Sequence, residues 1–594
     1  MPASTMIDVE PRPAVPQPAG AARRAARSAA WAHAHDLRFV LPVVALLLGL
    51  MLAPVLLHDG LPVSHEELSW KYRFLTYAAH FQRLELLPIW CESAAYGLGG
   101  PAPVLYHKLF YIVAAACYLL VGSVKLALLA ALGSFAVLGL LGMRALLCRL
   151  GVPARAALVA GAALWFCNYS YTDWIVRGAY AEYSALQLLP WLFYWLIGLL
   201  TGAAPRATFR QGALLFPALY LAHAVLFFFA AIPVASALGW RLARGADRKA
   251  MALALLGIGG VFTAVALPIV VCQLAVVGEI HFAEGTAVFQ PPDSYASLAE
   301  HLTGGSYVWG ATPKYLSVQV DLPLLAVALL ALLAVCWPAA RRRLAPASAW
   351  PPGGHVAYAA CWLWALYYAF LLSPASAPLY RALPGFSLLQ FPWRLLSFIA
   401  VSSVTLAAYP WLARARGSHN AALGGACLLL GITYVASPWL RTIQYEWVPS
   451  AQLEAAPPPA TQFRMAGFEY HPRVAGVVAA DVIDFTQRLL PSPDQLQWHA
   501  DVYSVERTDT PVFEKGERTY RVRSERPTTV VLPIAYSPFI HVETLAENGR
   551  RRLPTRRQPR DPRIHIDVPA GALDVLVTFP TLFSLYRDLL APVR

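Results

Sequence analysis

Apolar positions in this chain come in long blocks and seldom alternate until its last third. Runs long enough to cross a bilayer, about 20 residues, fall near 39–57, 123–147, 153–169, 184–202, 251–277, 322–338, 356–373, 393–412 and 419–438. Two further stretches are ambiguous by length. The stretch 207–240 is too long for one helix and short for two, and 104–121 is apolar but carries His107 and Lys108. Charge decides both, because cytoplasmic loops are enriched in Lys and Arg. Arg23, Arg24 and Arg27 put the N-terminus inside. Arg144, Arg149 and Arg155 must be inside as well, which leaves one returning crossing between residues 58 and 144. The run 123–147 takes it, and 104–121 then lies on or dips into the outer face.

Arg206 and Arg210, and then Arg241, Arg244, Arg248 and Lys249, are again inside, so 207–240 is expected to be a hairpin turning near His223. Arg341 to Arg343, Arg414 and Arg416 continue the alternation. The pattern predicts a polytopic α-helical membrane protein with about eleven transmembrane helices, N-terminus cytoplasmic and C-terminus outside. Up to residue 439, the inner segments carry 19 basic and 4 acidic residues, and the outer or embedded ones 9 and 12. That asymmetry supports the assignment.

Past residue 440 the texture changes. Short β-type runs, "TYRVRSE", "TTVVLPIAY", "HVETLAE" and "IHIDVPA", are separated by turn residues, and no further bilayer-length run follows. Three parts are expected: a cytoplasmic leader at 1–38, a helix bundle at 39–439 whose first outer loop is 58–122, and an outer-face β-rich domain at 440–594. The leader is read as uncleaved, since the apolar core begins only at about Phe39 and runs longer than a signal sequence requires.

Composition adds exclusions. With 58% hydrophobic and 14% charged residues, against roughly 25% charged in soluble domains, the chain cannot pack as a water-soluble globule. Of the net charge of +13, all but one unit resides before residue 440, since the remainder holds 19 basic and 18 acidic side chains. Nucleic acid is excluded as a partner, for no basic stripe with interleaved aromatics occurs. Seven of the eight cysteines lie in apolar segments and no CxxC or Cys/His spacing appears, which argues against a disulfide framework or a structural zinc site.

Candidate chemistry gathers on the outer side. The first outer loop concentrates Asp59, Glu66, Glu67, Glu85 and Glu92. A carboxylate at the rim of a helix bundle can act as a general base. Equally, Ser64 to Glu67 has the S-x-x-E form of a capping box, and residues 65–87 then read as an amphipathic helix lying on the membrane. The glycines of "YGLGGPAPVLYHKLFY" read as a tight turn that folds the loop back as a roof over the bundle. In the loop after the third crossing, Asp173 and Arg177 are spaced i, i+4 and suit a simple surface pair, yet Arg177 and Glu182 also stand at a helix mouth, where ionisable groups often line a substrate path. His223 is either a base or a polar pin at the hairpin turn. Gln390 and Arg394 open a transmembrane helix, where an arginine either snorkels to headgroups or clamps a phosphate bidentately.

In order along the chain, "LPIWCESAAYGLGGPAPVLYHKLFY", "RGAYAE", "LQFPWR" and "GFEYHP" before a β-rich tail resemble the bacterial membrane proteins labelled 6-pyruvoyl-tetrahydropterin synthase-related, of the YfhO-like type. That family looks like a branch of the GT-C glycosyltransferases, which use polyprenyl-phosphate-linked sugars at the outer face of the membrane. The resemblance implies a GT-C-like fold and a catalytic carboxylate at Glu66 or Glu67. "SHEEL" departs from the family pattern, which often has Asp there. Substrate-binding roles are implied for Arg177, Glu182, Arg394 and His107. The implied reaction is inverting glycosyl transfer onto a periplasmic glycan or lipid acceptor at the bacterial inner membrane. No metal-ligand spacing calls for an ion, so no cofactor is required, while a divalent cation at the phosphate is compatible with the chemistry. Two other classes stay open: a transporter of lipid-linked sugars, for which neither internal repeats nor midplane charges are evident, and a non-enzymatic assembly or export protein.

Overall fold

Helices occupy every apolar block in the computed structural model. The structure describes residues 19–66, 69–245, 247–281, 290–303, 317–336, 353–413, 418–437, 446–455, 473, 497–510, 513–546 and 549–591. Glu67, the "GFEYHP" motif and the basic clusters Arg341–Arg343 and Arg414–Arg416 lie outside the described residues.

Two units are distinguished, 1–50 and 51–594. The first contributes most of α1 (Ala19–Leu56). The helical series of the second comprises α2 (Ser69–Gln82), α3 (Leu109–Val121), α4 (Val124–Arg149), α5 (Ala154–Phe166), α6 (Tyr180–Leu200), α7 (Pro205–Ala222), α8 (Ala224–Phe229), α9 (Ala231–Arg244), α10 (Arg248–Val276), α11 (Leu322–Cys336), α12 (Gly354–Leu371), α13 (Leu396–Leu412) and α14 (His419–Ala436).

Among the described residues, seven helical segments are long and apolar enough to cross a membrane, or eight if a bent pair counts as one. The chain is a multi-helix membrane protein. The expected eleven is not confirmed by this count, and four of the expected runs are shorter, bent or more polar among the described residues. The run 153–169 stops as α5 because Cys167 turns extended (ψ 139°), and the Asn168 side chain then donates to the carbonyls of Ser317 and Gln319. The run 356–373 is α12, bent by 83° into Pro374–Ala382. The stretch 207–240 does break at His223, but only Ala224–Arg244 qualifies, since α7 opens with Arg206 and Arg210. The described part of α11 is 15 residues, about 22 Å of a core of about 30 Å, and residues 337–352 lie outside the described residues. The 13 residues of α3 are likewise short of a crossing and pack on α2 and α4.

Two expectations for the first loop need correction. First, α2 is not an amphipathic helix resting on the membrane from residue 65. It starts at Ser69 among the described residues and is buried on most sides, Lys71, Arg73 and His80 included. Polar groups can be buried here because partners are at hand: Lys71 Nζ donates to the Ala455 carbonyl at 2.9 Å, and Arg73 pairs with Glu66. Second, the glycine turn forms, with Gly97 and Gly99 at φ +91° and +86°, but beyond the contacts of Ile89 and Val104 with the end of α10 it is built into the C-terminal sheets. Trp90, Ala95 and Leu98 enter the core of the C-terminal sheets, and the Ala535 amide donates to the Leu98 carbonyl at 2.8 Å.

The β-type runs are strands. After a two-residue pair joining β1 (Leu61–Pro62) to β2 (Trp447–Val448), one antiparallel sheet has the order β3-β4-β5-β11-β7-β8 and another β6-β10-β9. Their ranges are β3 (Gln497–Ala500), β4 (Tyr503–Arg507), β5 (Glu517–Ser524), β6 (Thr528–Ala535), β7 (His541–Ala546), β8 (Gly549–Arg552), β9 (Arg556–Gln558), β10 (Asp561–Val568) and β11 (Gly571–Thr578). Alternating Val522, Val530, Leu532, Val542, Ile564, Ile566, Val575 and Val577 fill one core between the sheets.

A buried polar clamp fastens the first loop to these sheets. Glu514 accepts from the amides of Glu92 (2.9 Å) and Ser93 (3.1 Å) and from Ser93 Oγ (2.7 Å), and His80 Nε2 lies 3.8 Å away. Glu92 accepts from the Gly516 amide and faces Arg518 Nε at 3.7 Å, while His80 Nδ1 meets Glu85 at 2.7 Å. Burial, then the neighbouring Glu514, pushes Glu92 up to about 7. Burial acts against a charged His80, but Glu514 and Glu85 outweigh it and raise its pKa. Both groups are therefore raised on folding, and what they contribute is present at low pH and lost as pH rises through their folded values. For Glu92 that loss runs from about 4.5 to about 7. Melting temperature should fall between about pH 4.5 and 7, and Glu92→Gln, which cannot titrate, should flatten the fall; equal slopes in both proteins would refute this origin.

Candidate functional site

Two backbone hydrogen bonds bring the first loop to the helix mouth. The amides of His65 and Glu66 donate to the carbonyls of Val176 (3.1 Å) and Arg177 (3.0 Å). Gly178 makes this approach possible: its φ is +68°, and a Cβ there would stand 2.3 Å from Ser64 Oγ and 2.8 Å from Ser64 Cβ. Gly178→Ala should cost about 1–2 kcal/mol in backbone strain alone. It should also speed hydrogen exchange at the His65 and Glu66 amides, and unchanged exchange at both would show that the zipper does not depend on this glycine.

Glu66 faces its own arginine. Arg73 Nη1 lies 2.6 Å from Glu66 Oε2, and Ser69 Oγ donates to the same oxygen at 3.2 Å. Glu66 stands in a turn before the described start of α2, and the Glu67 half of the expected capping box lies outside the described residues. Arg73 also donates to Tyr111 OH (3.1 Å) and stacks over the Tyr106 ring at 4.0 Å. Burial pushes the Glu66 carboxyl up, but the Arg73 guanidinium outweighs it and holds it below the ordinary range. Glu66 is thus ionised at neutral pH and a weaker base than a free glutamate.

The second cluster centres on Glu182, which is 2% exposed. Tyr169 OH donates to its Oε1. Around its Oε2 stand Arg177 Nη1 at 3.0 Å, Arg394 Nε at 3.4 Å and His223 Nε2 at 4.0 Å. Arg177 ends the π-type turn Thr172–Arg177, which swings Asp173 inward to pair with it, and its guanidinium lies over the Trp393 ring at 4.5 Å. The i, i+4 pair is therefore real but is buried, not on the surface, with Asp173 fully enclosed. Arg394 sits in the turn Pro392–Leu395 and donates to the Leu389 carbonyl (3.2 Å) and Gln390 Oε1 (3.4 Å).

His107 and His223 stack face to face with ring centroids 3.9 Å apart. His223 Nδ1 accepts from the Leu226 amide at 3.2 Å, so it pins backbone freed at the α7–α8 break, and His107 Nδ1 accepts from the Ala224 amide at 3.4 Å. Each ring then carries its proton on Nε2. Burial holds both imidazoles well below their ordinary range.

Arg177, Glu182, Arg394 and His107 thus lie in one neighbourhood, with Glu66 joined to it through the backbone of Val176 and Arg177. Glu67 lies outside the described residues. Arg73, Tyr169 and Trp393 were not singled out from sequence. The available signal for Arg73 was its position seven residues, two helical turns, beyond Glu66. Among the described residues, no group of three or more His, Cys, Asp or Glu side chains is placed to hold a metal ion.

No protein-family model and no curated protein matches the chain. The solved structures it matches include the apo form of the Archaeoglobus fulgidus oligosaccharyltransferase, at 15% identity and a TM-score of 0.38. That match covers 70% of this chain and 56% of the other, so the chain spans little more than half the length of that protein.

Proposed function

We propose that the chain is an inverting glycosyltransferase of the GT-C superfamily, which takes a sugar from a polyprenyl-phosphate donor at the outer face of a bacterial inner membrane and transfers it to a cell-envelope glycan or lipid. The observation that carries this reading is the convergence of Arg177 and Arg394 on one buried carboxylate, Glu182, where the backbone of Glu66 is fastened beside them. A phosphate offers the same guanidiniums more acceptor oxygens than Glu182 does. In the reaction, a carboxylate of the first loop, Glu66 or Glu67, takes the acceptor hydroxyl proton as that oxygen bonds to C1 of the sugar. The C1–oxygen bond to phosphate breaks with its electron pair, and the arginines stabilise the departing lipid phosphate. Under this reading the N-terminus is cytoplasmic, and the β-rich part, 440–594, lies in the periplasm with the acceptor.

The direct test is retention of a polyprenyl phosphate by the protein in nanodiscs, read by native mass spectrometry. Arg394→Lys keeps the charge but loses the planar fork, so retention should weaken by about tenfold. Equal retention by both proteins would overturn the clamp. One observation favours a non-enzymatic assembly role instead: each candidate arginine already has a carboxylate partner, and Glu66 has Arg73. A protein that binds no polyprenyl phosphate supports that alternative.

A further inference from the structure

The last helix, α15 (Leu582–Leu590), has two faces with different partners. Leu582, Leu585 and Tyr586 pack with Cys272, Ala275 and Val276 on the final turns of α10. An adjacent face, about 100° round the helix, presents Phe583 and Leu590, 80% and 79% exposed, with exposed Arg587 between them at i, i+4 and i+7 spacing. Two large apolar side chains so exposed need a cover.

The membrane supplies one by position. The span Arg248–Glu279 runs 32 residues, about 48 Å, which exceeds the hydrocarbon core and brings its C-terminal end to headgroup level. Leu274, 70% exposed, faces outward on that same last stretch, so the lipid-facing surface of α10 continues toward α15. A separate contact holds the sheets at this level: Arg557 of β9 pairs with Glu279 at 2.6 Å. On the other side, His541 of β7 meets Asp588 of α15 at 2.6 Å, and β8 is hydrogen-bonded alongside β7.

Between these two anchors runs an arginine-rich segment. Arg550, Arg551, Arg552, Arg556, Arg557 and Arg560 are all exposed. Arg556 and Arg557 are taken by Asp567 and Glu279, and Arg550 stands 3.8 Å from Glu543. Arg551, Arg552 and Arg560 have no carboxylate partner among the described residues. Exposed arginines together with exposed apolar side chains are the composition of an interfacial membrane-binding surface; Arg552 lies across from Glu543, on the face of β7 that carries His541 and its contact with α15, while Arg587 pairs with Asp588 at 3.2 Å.

We propose that the C-terminal sheet domain is seated on the bilayer through this face. In this arrangement α15 lies in the interface with Phe583 and Leu590 among the acyl chains, and Arg551, Arg552 and Arg560 engage anionic phospholipid headgroups. The seat would hold the sheets at a set height above the bundle.

The test uses the full chain in nanodiscs of phosphatidylcholine with a minority of phosphatidylglycerol. A photo-reactive benzoylphenylalanine is placed in turn at Phe583, Leu590 and Tyr586, and adducts are read by mass spectrometry. Positions 583 and 590 should give lipid adducts with phosphatidylglycerol several-fold above its bulk share, and position 586 adducts to α10. With Arg551, Arg552 and Arg560 all changed to Gln, the lipid adducts should persist but revert to the bulk lipid ratio. No lipid adducts at 583 and 590, or adducts there to another protein, would overturn the seat. A bulk lipid ratio in the unaltered protein would overturn the assignment to anionic headgroups.

Discussion

Glu182→Ala should destabilise the protein by roughly 3–5 kcal/mol, the usual cost of removing one partner from a buried ion pair. The carboxylate is 2% exposed and is the counter-charge that Arg394 meets in the cluster. Asp173 can keep Arg177 neutralised after the truncation, but Arg394 is left with the Leu389 carbonyl and Gln390 amide oxygen. Those are dipoles, and a guanidinium only 17% exposed and held by dipoles alone stays costly. Tyr169 loses its acceptor as well. Glu182→Gln should fall between wild type and alanine, since it keeps an acceptor for Tyr169 and loses only the charge. Adding Arg394→Met to Glu182→Gln should restore part of the loss, because the uncompensated charge then disappears with its partner. Thermal unfolding in one detergent reads all three variants. A Glu182→Ala protein that melts with wild type would mean the cluster is solvated, contrary to its enclosure here.

The parts of this fold legible in sequence are those where one property varies along the chain. Apolar block length located the helices, and strand-type alternation located β5, β6, β7 and β10 at "TYRVRSE", "TTVVLPIAY", "HVETLAE" and "IHIDVPA". Hydropathy reports transfer out of water and does not distinguish lipid from protein as the new surroundings. That is why the sequence of α2 reads as lying on a membrane. Its Tyr72–Leu75–Ala79 stripe looks interfacial, whereas Arg73 and Lys71 are accommodated by Glu66 and the Ala455 carbonyl, partners 7 and 384 positions away. The same limit misplaced Leu98, whose burial among the sheets depends on contacts more than 400 residues distant in sequence. Site residues fared better because charges in apolar surroundings are conspicuous: Arg177, Glu182 and Arg394 each interrupt or open an apolar block. The break near His223 is legible from charge, but the mutual arrangement is not, since it depends on the π-type turn that directs Asp173 inward, which has no periodic signature.

If the proposed transferase reaction runs on Glu66, Glu66→Gln should lower turnover by roughly 10²- to 10⁴-fold, the range for loss of a general base, while the protein remains inserted in the membrane. Glutamine can still accept from Arg73 and Ser69, so the geometry of the turn is kept and basicity alone is lost. The acid limb of the pH profile gives an independent reading. Because Arg73 holds the Glu66 carboxyl below its ordinary range, the ionised form persists on acidification to below about 4.5, and both its catalytic share and its stabilising pair with Arg73 are lost only as pH falls further. Turnover that already declines between pH 7 and 6 would point to a base other than Glu66. Glu67→Gln separates the neighbours: loss there, with Glu66→Gln active, moves the base by one residue. Full function of Glu66→Gln, Glu67→Gln and Arg394→Lys, in a strain whose deletion has a glycan phenotype, would remove the carboxylate mechanism. The buried pairs Glu66–Arg73 and Glu182–Arg177 would then be the internal bracing of an assembly protein, a role in which charge compensation matters and basicity does not.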